Sequence, residues 1–192
     1  MMKLLARAVL PVVAGGFLLA GCTSTQTGMA SPAGTPSSAP SSAPETSSSS
    51  GAGQASTTSL QPCTVLAASD LSGYGSFKDA IEENASDART CTYQKKTETA
   101  SEEGLVVSVV IRDNAGLDQT NDTGAGVQDK QVNGRKAKVA PSPAPTGCVV
   151  ALGVGDKARV DVTVTAVSTV DKACQLAGDV AGKSVEPKLP KG

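Results

Sequence analysis

The chain has 192 residues, of which 17 are basic and 18 acidic, so its formal net charge at pH 7 is −1, and it contains no histidine. A balanced charge excludes the broad basic surface that nucleic-acid-binding proteins need. The lack of histidine excludes Ser-His-Asp and Cys-His catalytic systems and zinc sites that use imidazole ligands.

The first segment, residues 1–21, has the pattern of a secretory signal peptide. Lys3 and Arg7 precede an apolar run that ends in small residues. An uncleaved membrane helix is the alternative, but the run is shorter than the ~20 residues that a spanning helix needs. Pro11 also interrupts it. We therefore expect the segment to be removed on export.

A lipobox, Leu19-Ala20-Gly21-Cys22, closes this segment. In such a motif a transferase adds diacylglycerol to the cysteine thiol, and a signal peptidase then cuts in front of that cysteine. Two acyl chains are enough for durable membrane attachment. Cys22 is therefore the predicted lipidation site, and it places the protein on the outer face of the cytoplasmic membrane, with the membrane as a partner.

The next segment, residues 22–59, consists almost entirely of Ser, Thr, Pro, Gly and Ala after its first cysteine. This composition cannot bury enough apolar surface to offset the entropy of ordering a chain. We interpret the segment as a disordered tether. Residues 60–192 then form a single domain of ordinary size.

Hydrophobic patterns predict the elements of this domain in chain order. A short helix is expected from Pro62 to Leu71, and one or two further helical turns within residues 76–87. Strands follow at 90–96 and 104–112, then a polar loop at 113–126. The dipeptide Asn133-Gly134 favours a type I′ hairpin between strands at 127–132 and 135–140. The prolines at 141, 143 and 145 are expected to interrupt pairing.

A second hairpin is predicted from strands at 148–154 and 158–166. Val160, Val162 and Val164 alternate with Asp161 and two threonines, which indicates one buried face and one wet face. Residues 168–171 resemble a capping box that opens a final helix. The apolar stripe of this helix comprises Ala173, Leu176, Ala177, Val180 and Ala181, with Gly182 at its C-terminal end and Pro187 beyond. The predicted fold class is therefore α+β, an antiparallel sheet with a short N-terminal helix and a C-terminal helix packed on one face.

Four cysteines remain in the domain: Cys63, Cys91, Cys148 and Cys174. An even number in an exported domain favours disulfides, and four cysteines allow three connectivities. We favour Cys63 with Cys91 and Cys148 with Cys174, because each bond would join a helix to a strand. A redox or zinc site is the alternative, but no Cys-x-x-Cys pair occurs.

Several of these stretches together resemble the actinobacterial lipoproteins that carry the domain of unknown function numbered 3558. They are Gln61-Pro62-Cys63-Thr64-Val65-Leu66 with Ser69-Asp70-Leu71, Cys91-Thr92-Tyr93, Val132-Asn133-Gly134-Arg135-Lys136-Ala137, Cys148-Val149-Val150, and Ala173-Cys174-Gln175-Leu176-Ala177 through Leu189-Pro190. The resemblance implies an α+β fold, an envelope location and a lipid anchor. It implies no activity.

Three patterns suggest chemistry, and each has a simpler interpretation. Residues 177–184 loosely match a phosphate loop but lie in the terminal helix, where the preceding strand is missing. Residues Asp118 to Asp129 partly imitate a calcium loop, although the glycine is one place late. The pairs Glu82-Glu83 and Glu102-Glu103 are adjacent residues whose side chains diverge. No Ser-x-x-Lys or Gly-x-Ser-x-Gly motif occurs, so we expect no enzyme, no metal site and no cofactor.

Two functions fit these observations. The first is a non-catalytic binding module that holds a small molecule, a lipid or an envelope peptide in a cleft between sheet and helices. Tyr74, Phe77 and Tyr93, beside the loop at 113–126, are the predicted lining of that cleft. The alternative is a protein-interaction or accessory subunit that stabilises an envelope complex.

Overall fold

A computed structural model describes residues 55–191, so the predicted signal peptide, Cys22 and most of the predicted tether lie outside the described residues. The described part contains helices α1 and α2 and strands β1 to β7. Their bounds are α1 Pro62–Val65, β1 Ile81–Asn84, β2 Arg89–Gln94, β3 Val106–Arg112, β4 Gln128–Val132, β5 Arg135–Pro143, β6 Thr146–Val154, β7 Ala158–Thr165 and α2 Val170–Val180. Short 3₁₀ turns occupy Ala68–Tyr74 and Leu117–Gln119.

The seven strands form one antiparallel sheet in the order β1-β2-β3-β7-β6-β5-β4. Strands β4 to β7 follow one another as a meander, because a short turn joins each to the next. Strand β7 then pairs on its other side with β3, which joins the N-terminal and C-terminal halves. The predicted α+β class is confirmed.

One face of the sheet carries the core and is covered by the helices. The register aligns Val109, Val162 and Val150 across three neighbouring strands, and all three are buried. From α2, Ala173 and Ala177 pack onto this face with no exposed surface. Valine and alanine thus fill an interior in which large side chains are scarce.

The opposite face of the sheet is less exposed to solvent than the alternation of residues predicted, because Asp161 is buried in it. Its carboxylate accepts hydrogen bonds from Arg159 Nε at 2.8 Å and Arg112 Nε at 3.0 Å. Arg159 Nη1 also donates to the Gly116 carbonyl at 2.7 Å. The loop after β3 therefore covers this part of the face, and the paired arginines compensate the buried charge.

Three predicted elements differ from the structure. The helix expected from Pro62 to Leu71 ends at Val65, and a separate 3₁₀ turn begins at Ala68. Residues 76–87 are not helical: they form β1 and a bridge from Phe77 to Lys95, because pairing with β2 overrides a weak local pattern. Pro141 and Pro143 do not interrupt the sheet, since β5 continues through both and pairs with β6. Strand β4 begins opposite Val139, so beyond that residue β5 is an edge strand, where a missing N–H is tolerated.

Both termini of α2 also differ in detail. The N-cap is Thr169, whose hydroxyl accepts from Lys172 N, and not the predicted box over 168–171. The helical backbone does not end at Gly182. It continues as a π-helical turn over Ala181–Val185 and then a 3₁₀ turn over Glu186–Lys188. Val185 and Leu189 are buried, so their packing keeps the chain turning along the sheet.

Both favoured disulfides are present: Cys63–Cys91 joins α1 to β2, and Cys148–Cys174 joins β6 to α2. Residues 55–59, which the sequence assigns to the tether, pack against the domain. Thr57 is 1% exposed and its hydroxyl donates to Asp113 at 2.6 Å, while Arg89 donates to the Thr57 and Leu60 carbonyls. The ordered domain therefore begins before residue 60. No helix in residues 55–191 is long and apolar enough to cross a membrane.

Candidate functional site

A groove of about 600 Å³ runs between α2 and the β4–β5 hairpin on the helix-covered face. It exists because α2 packs over β5, β6 and β7, whereas the sheet extends one strand further, to β4. The sheet contributes the floor and α2 contributes one wall. The apolar lining consists of Val132, Val139, Pro141, Val150 and Val170. We call this cavity the α2 groove.

The helix wall of the α2 groove is made of small residues. Cys174, Gly178 and Gly182 follow one another at intervals of four, which places them along one flank of the helix. A β-carbon at Gly178 would meet nothing within 4 Å, and one at Gly182 would lie 3.5 Å from Val132 Cγ1. The disulfide from Cys174 to Cys148 holds this wall to β6. The small side chains leave the space that larger residues would fill.

Polar groups border the α2 groove. Gln128, Lys130 and Asp171 lie along its margin, and all three are exposed. At one end, Asn133 Nδ2 donates to the Gly182 carbonyl at 2.8 Å and to Glu186 Oε2 at 3.1 Å. The hairpin turn is thereby fixed to the end of the helix. The arrangement is an apolar surface with hydrogen-bonding and charged groups at its border.

A second cavity of about 550 Å³ adjoins that end and includes Arg135. Arg135 Nε pairs with Glu186 at 3.2 Å, and its Nη atoms donate to the Gly153 carbonyl at 2.9 Å and the Pro190 carbonyl at 3.0 Å. Each nitrogen of the guanidinium therefore has a protein partner. Its role is to hold the C-terminal segment against the sheet.

A protein-family model described as "Protein of unknown function (DUF3558)" matches residues 17–186. The chain belongs to the DUF3558 family. No curated protein and no solved structure matches the chain.

The aromatic residues predicted to line a cleft lie elsewhere in this DUF3558 domain. Tyr93 is 2% exposed, and its hydroxyl donates to the Leu66 carbonyl at 2.7 Å. Burial raises the pKa of Tyr93, and the nearby negative charges of Asp70 and Glu82 raise it further. Phe77 packs edge-on against Tyr93 with ring centroids 6.5 Å apart, and Tyr74 is half-buried nearby. The three surround β2, which lies near the opposite edge of the sheet from β4 and the α2 groove.

The calcium-like loop of this DUF3558 chain does not bring its carboxylates together. Asp122 accepts from the backbone N–H groups of Gly124 and Gly126, which lower its pKa. Asp129 pairs with Lys138 at 3.0 Å. Within residues 55–191, no group of three or more acidic or cysteine side chains is placed to hold a metal ion.

The members of each glutamate pair do not converge on one point, because side chains of successive strand residues point to opposite faces and the glutamates of the other pair have different partners. Glu82 and Glu83 are neighbours on the exposed strand β1. Glu103 bonds to Lys172 and to the backbone N–H of Ser168 at the start of α2, and these hydrogen bonds lower the pKa of Glu103 to about 2. Glu102 instead accepts from Glu98 N.

Sequence reasoning missed the α2 groove, although one signal for it was present. Gly178 and Gly182 both lie within residues 177–184, the stretch that loosely matches a phosphate loop through Gly182-Lys183-Ser184. Those residues are helical, with Asp179 and Lys183 forming an i,i+4 pair at 3.3 Å. Glycine inside a helix lowers its stability. Two glycines beside the apolar stripe therefore indicated a helix face from which no side chain should protrude.

Proposed function

We propose that this DUF3558 protein is a non-catalytic binding module of a membrane-anchored, extracytoplasmic lipoprotein, and that its ligand occupies the α2 groove. The observation that carries the proposal is an apolar groove, bordered by polar groups, in which glycines on the helix wall leave the space open. Its volume of about 600 Å³ lies within the common range of ligand sites, roughly 300–1,000 Å³.

Two observations support the extracytoplasmic, anchored location. The family match begins at residue 17, so the lipobox with Cys22 lies inside the matched region. Both disulfides of the described domain are of the kind that persists in oxidising compartments. Lipidation of Cys22 would hold the module at the outer face of the cytoplasmic membrane.

The structural role of the acidic side chains supports a binding function over a catalytic one. Those with a lowered pKa in residues 55–191 are Asp70, Glu103, Asp113 and Asp122. Each accepts hydrogen bonds that hold the fold, as Asp70 does from Ala67 N at 2.9 Å and Lys188 at 2.6 Å. None of the four lines the α2 groove.

The test fills the groove and asks what remains bound. Gly178→Leu places a side chain into open space, and Gln175→Leu is the matched control on the exposed side of the same helix. The lipidated wild-type protein and both variants are purified from the native membrane and analysed by native mass spectrometry. We expect a bound molecule on the wild type and on Gln175→Leu, and its loss from Gly178→Leu. Identical spectra for all three would refute binding in the groove, and a protein partner retained by Gly178→Leu would favour the accessory-subunit alternative.

A further inference from the structure

The outer edge of β4 is free in the described part of the chain, since β4 is the last strand in the sheet order. The two-residue turn fixes which of its backbone groups point outward. Asn133 and Gly134 have φ values of 50° and 85°, so Val132 and Arg135 form the hydrogen-bonded pair beside a type I′ turn. Pairing alternates along antiparallel strands. The N–H and C=O groups of Asp129 and Gln131 therefore point away from β5.

Cavities lie on both sides of this edge. The α2 groove borders β4 on the helix-covered face, and a third cavity, of about 510 Å³, borders it on the other face. Lys130 and Gln131 line both the groove and the third cavity, and the third cavity also includes Leu117. A strand added to β4 would direct alternate side chains towards the two cavities.

The charges of the edge restrict what can be added. Lys130, Lys136 and Lys138 line the third cavity, where Asp129 is the acidic residue and already pairs with Lys138. The surface therefore has an excess of positive charge. Lysine on an edge strand disfavours pairing between copies of the same protein. An acidic segment would instead be attracted.

We propose that an extended, acidic segment of a partner protein adds a strand to the free edge of β4. Its apolar side chains lie on the side of the α2 groove. Its alternate, acidic side chains lie on the face of the sheet that carries Lys136 and Lys138, with β4 in between, where Lys138 already extends to Asp129 of β4 at 3.0 Å. The inference rests on the proposed function and names the class of ligand, a polypeptide bound through its backbone. Strand addition obtains affinity from main-chain hydrogen bonds and specificity from alternate side chains.

The test uses the full-length protein and two synthetic peptides, acetyl-Ser-Val-Glu-Val-Glu-Val-Ser-amide and the same peptide with lysine at both glutamate positions. Gln131→Pro removes an outward N–H without removing a bond to β5, and Gln131→Ala is its matched control. We expect calorimetry to show binding of the glutamate peptide to the wild type and Gln131→Ala, and at least tenfold weaker binding to Gln131→Pro. The lysine peptide should bind at least tenfold more weakly to the wild type. Hydrogen exchange at Asp129 and Gln131 should slow when the glutamate peptide is bound.

A peptide methylated at alternate backbone nitrogens provides an independent test if Gln131→Pro lowers the thermal stability. It should bind the unaltered protein at least tenfold more weakly than the parent peptide. Equal affinity for Gln131→Pro and Gln131→Ala, or equal affinity of methylated and parent peptides, would overturn strand addition. Slow exchange at Asp129 and Gln131 in the free full-length protein would also overturn it, because a segment of this chain would then occupy the edge. No binding of the glutamate peptide, together with a ligand that Gly178→Leu abolishes, would refute strand addition and leave the proposed function standing.

Discussion

At the residue scale, Glu103 connects the loop before β3 to the start of α2. Its carboxylate bonds to Lys172 and to the N–H of Ser168. Ser168 lies just before the N-cap Thr169, so the carboxylate is near the first N–H groups of α2, where a negative charge is favourable. An exposed glutamate distant in sequence thus helps to fix where the helix begins.

Glu103→Gln should lower stability in a pH-dependent way. The pKa of Glu103 in the folded protein is about 2, below its ordinary value of 4.5, so its contribution is fully present above about pH 4.5 and lost as the pH falls towards 2. The melting temperature of Glu103→Gln should therefore be lower than that of the wild type at pH 7, and the two should converge near pH 2. Glu102→Gln is the control, and a constant difference across the pH range would contradict the assignment.

At the element scale, the two disulfides differ in what they hold. Cys148–Cys174 fastens the groove wall to the sheet, whereas Cys63–Cys91 fastens α1 to β2, away from the groove. Both bonds join residues 26–28 positions apart, so the entropy each removes from the unfolded chain is similar.

Replacing Cys148 and Cys174 together by alanine should lower the free energy of unfolding by about 3.5 kcal/mol in the chain-entropy model. The Cys63→Ala, Cys91→Ala protein should lose a similar amount. Urea unfolding measures both losses. Hydrogen exchange then separates the two variants, because α2 amides should exchange faster only when Cys148 and Cys174 are replaced. Equal protection of α2 in both variants would show that the disulfide does not hold the groove wall.

The elements also show what local sequence could predict. The Asn133-Gly134 hairpin was predictable because the turn requires positive φ at both residues, which this pair readily adopts. Strand β1 was not predictable. Ile81 is the one large apolar residue of β1, and no alternation of apolar and polar residues marks the segment as a partner of β2. Beyond the signal from Gly178 and Gly182, the α2 groove could not be predicted, because its existence depends on how far α2 reaches across the sheet. The favoured disulfides were predictable once each cysteine was assigned to a helix or a strand.

At the scale of the whole molecule, the start of the domain is set by contacts distant in sequence. Arg89 donates to Asp113 and to the carbonyls of Thr57 and Leu60. Burial raises the pKa of Asp113, but the bonds from Thr57 and Arg89 outweigh it and lower the pKa overall. The first described residues are therefore part of the fold.

A chain that begins at Gln61 should accordingly be less stable than one that begins at Ala55. It loses three hydrogen bonds to charged groups, two from Arg89 and one from Thr57 to Asp113. At about 1.5 kcal/mol each for these partly exposed groups, a loss of roughly 4–5 kcal/mol is expected. Urea unfolding of the two chains beside the full-length protein measures it. The chain from Ala55 should match the full-length protein, and equal stability of the two shortened chains would place the boundary at residue 60 after all.

The sheet order has a consequence for the sequence of folding events. Strand β7 lies at the centre of the sheet but is the last strand to be synthesised, so β1 to β3 cannot join the meander until nearly the whole chain is available. Each disulfide, by contrast, closes within one half, one before β3 and one after β5. The two halves can therefore be cross-linked separately, and their union through β3 and β7 is the late, long-range step that completes the domain.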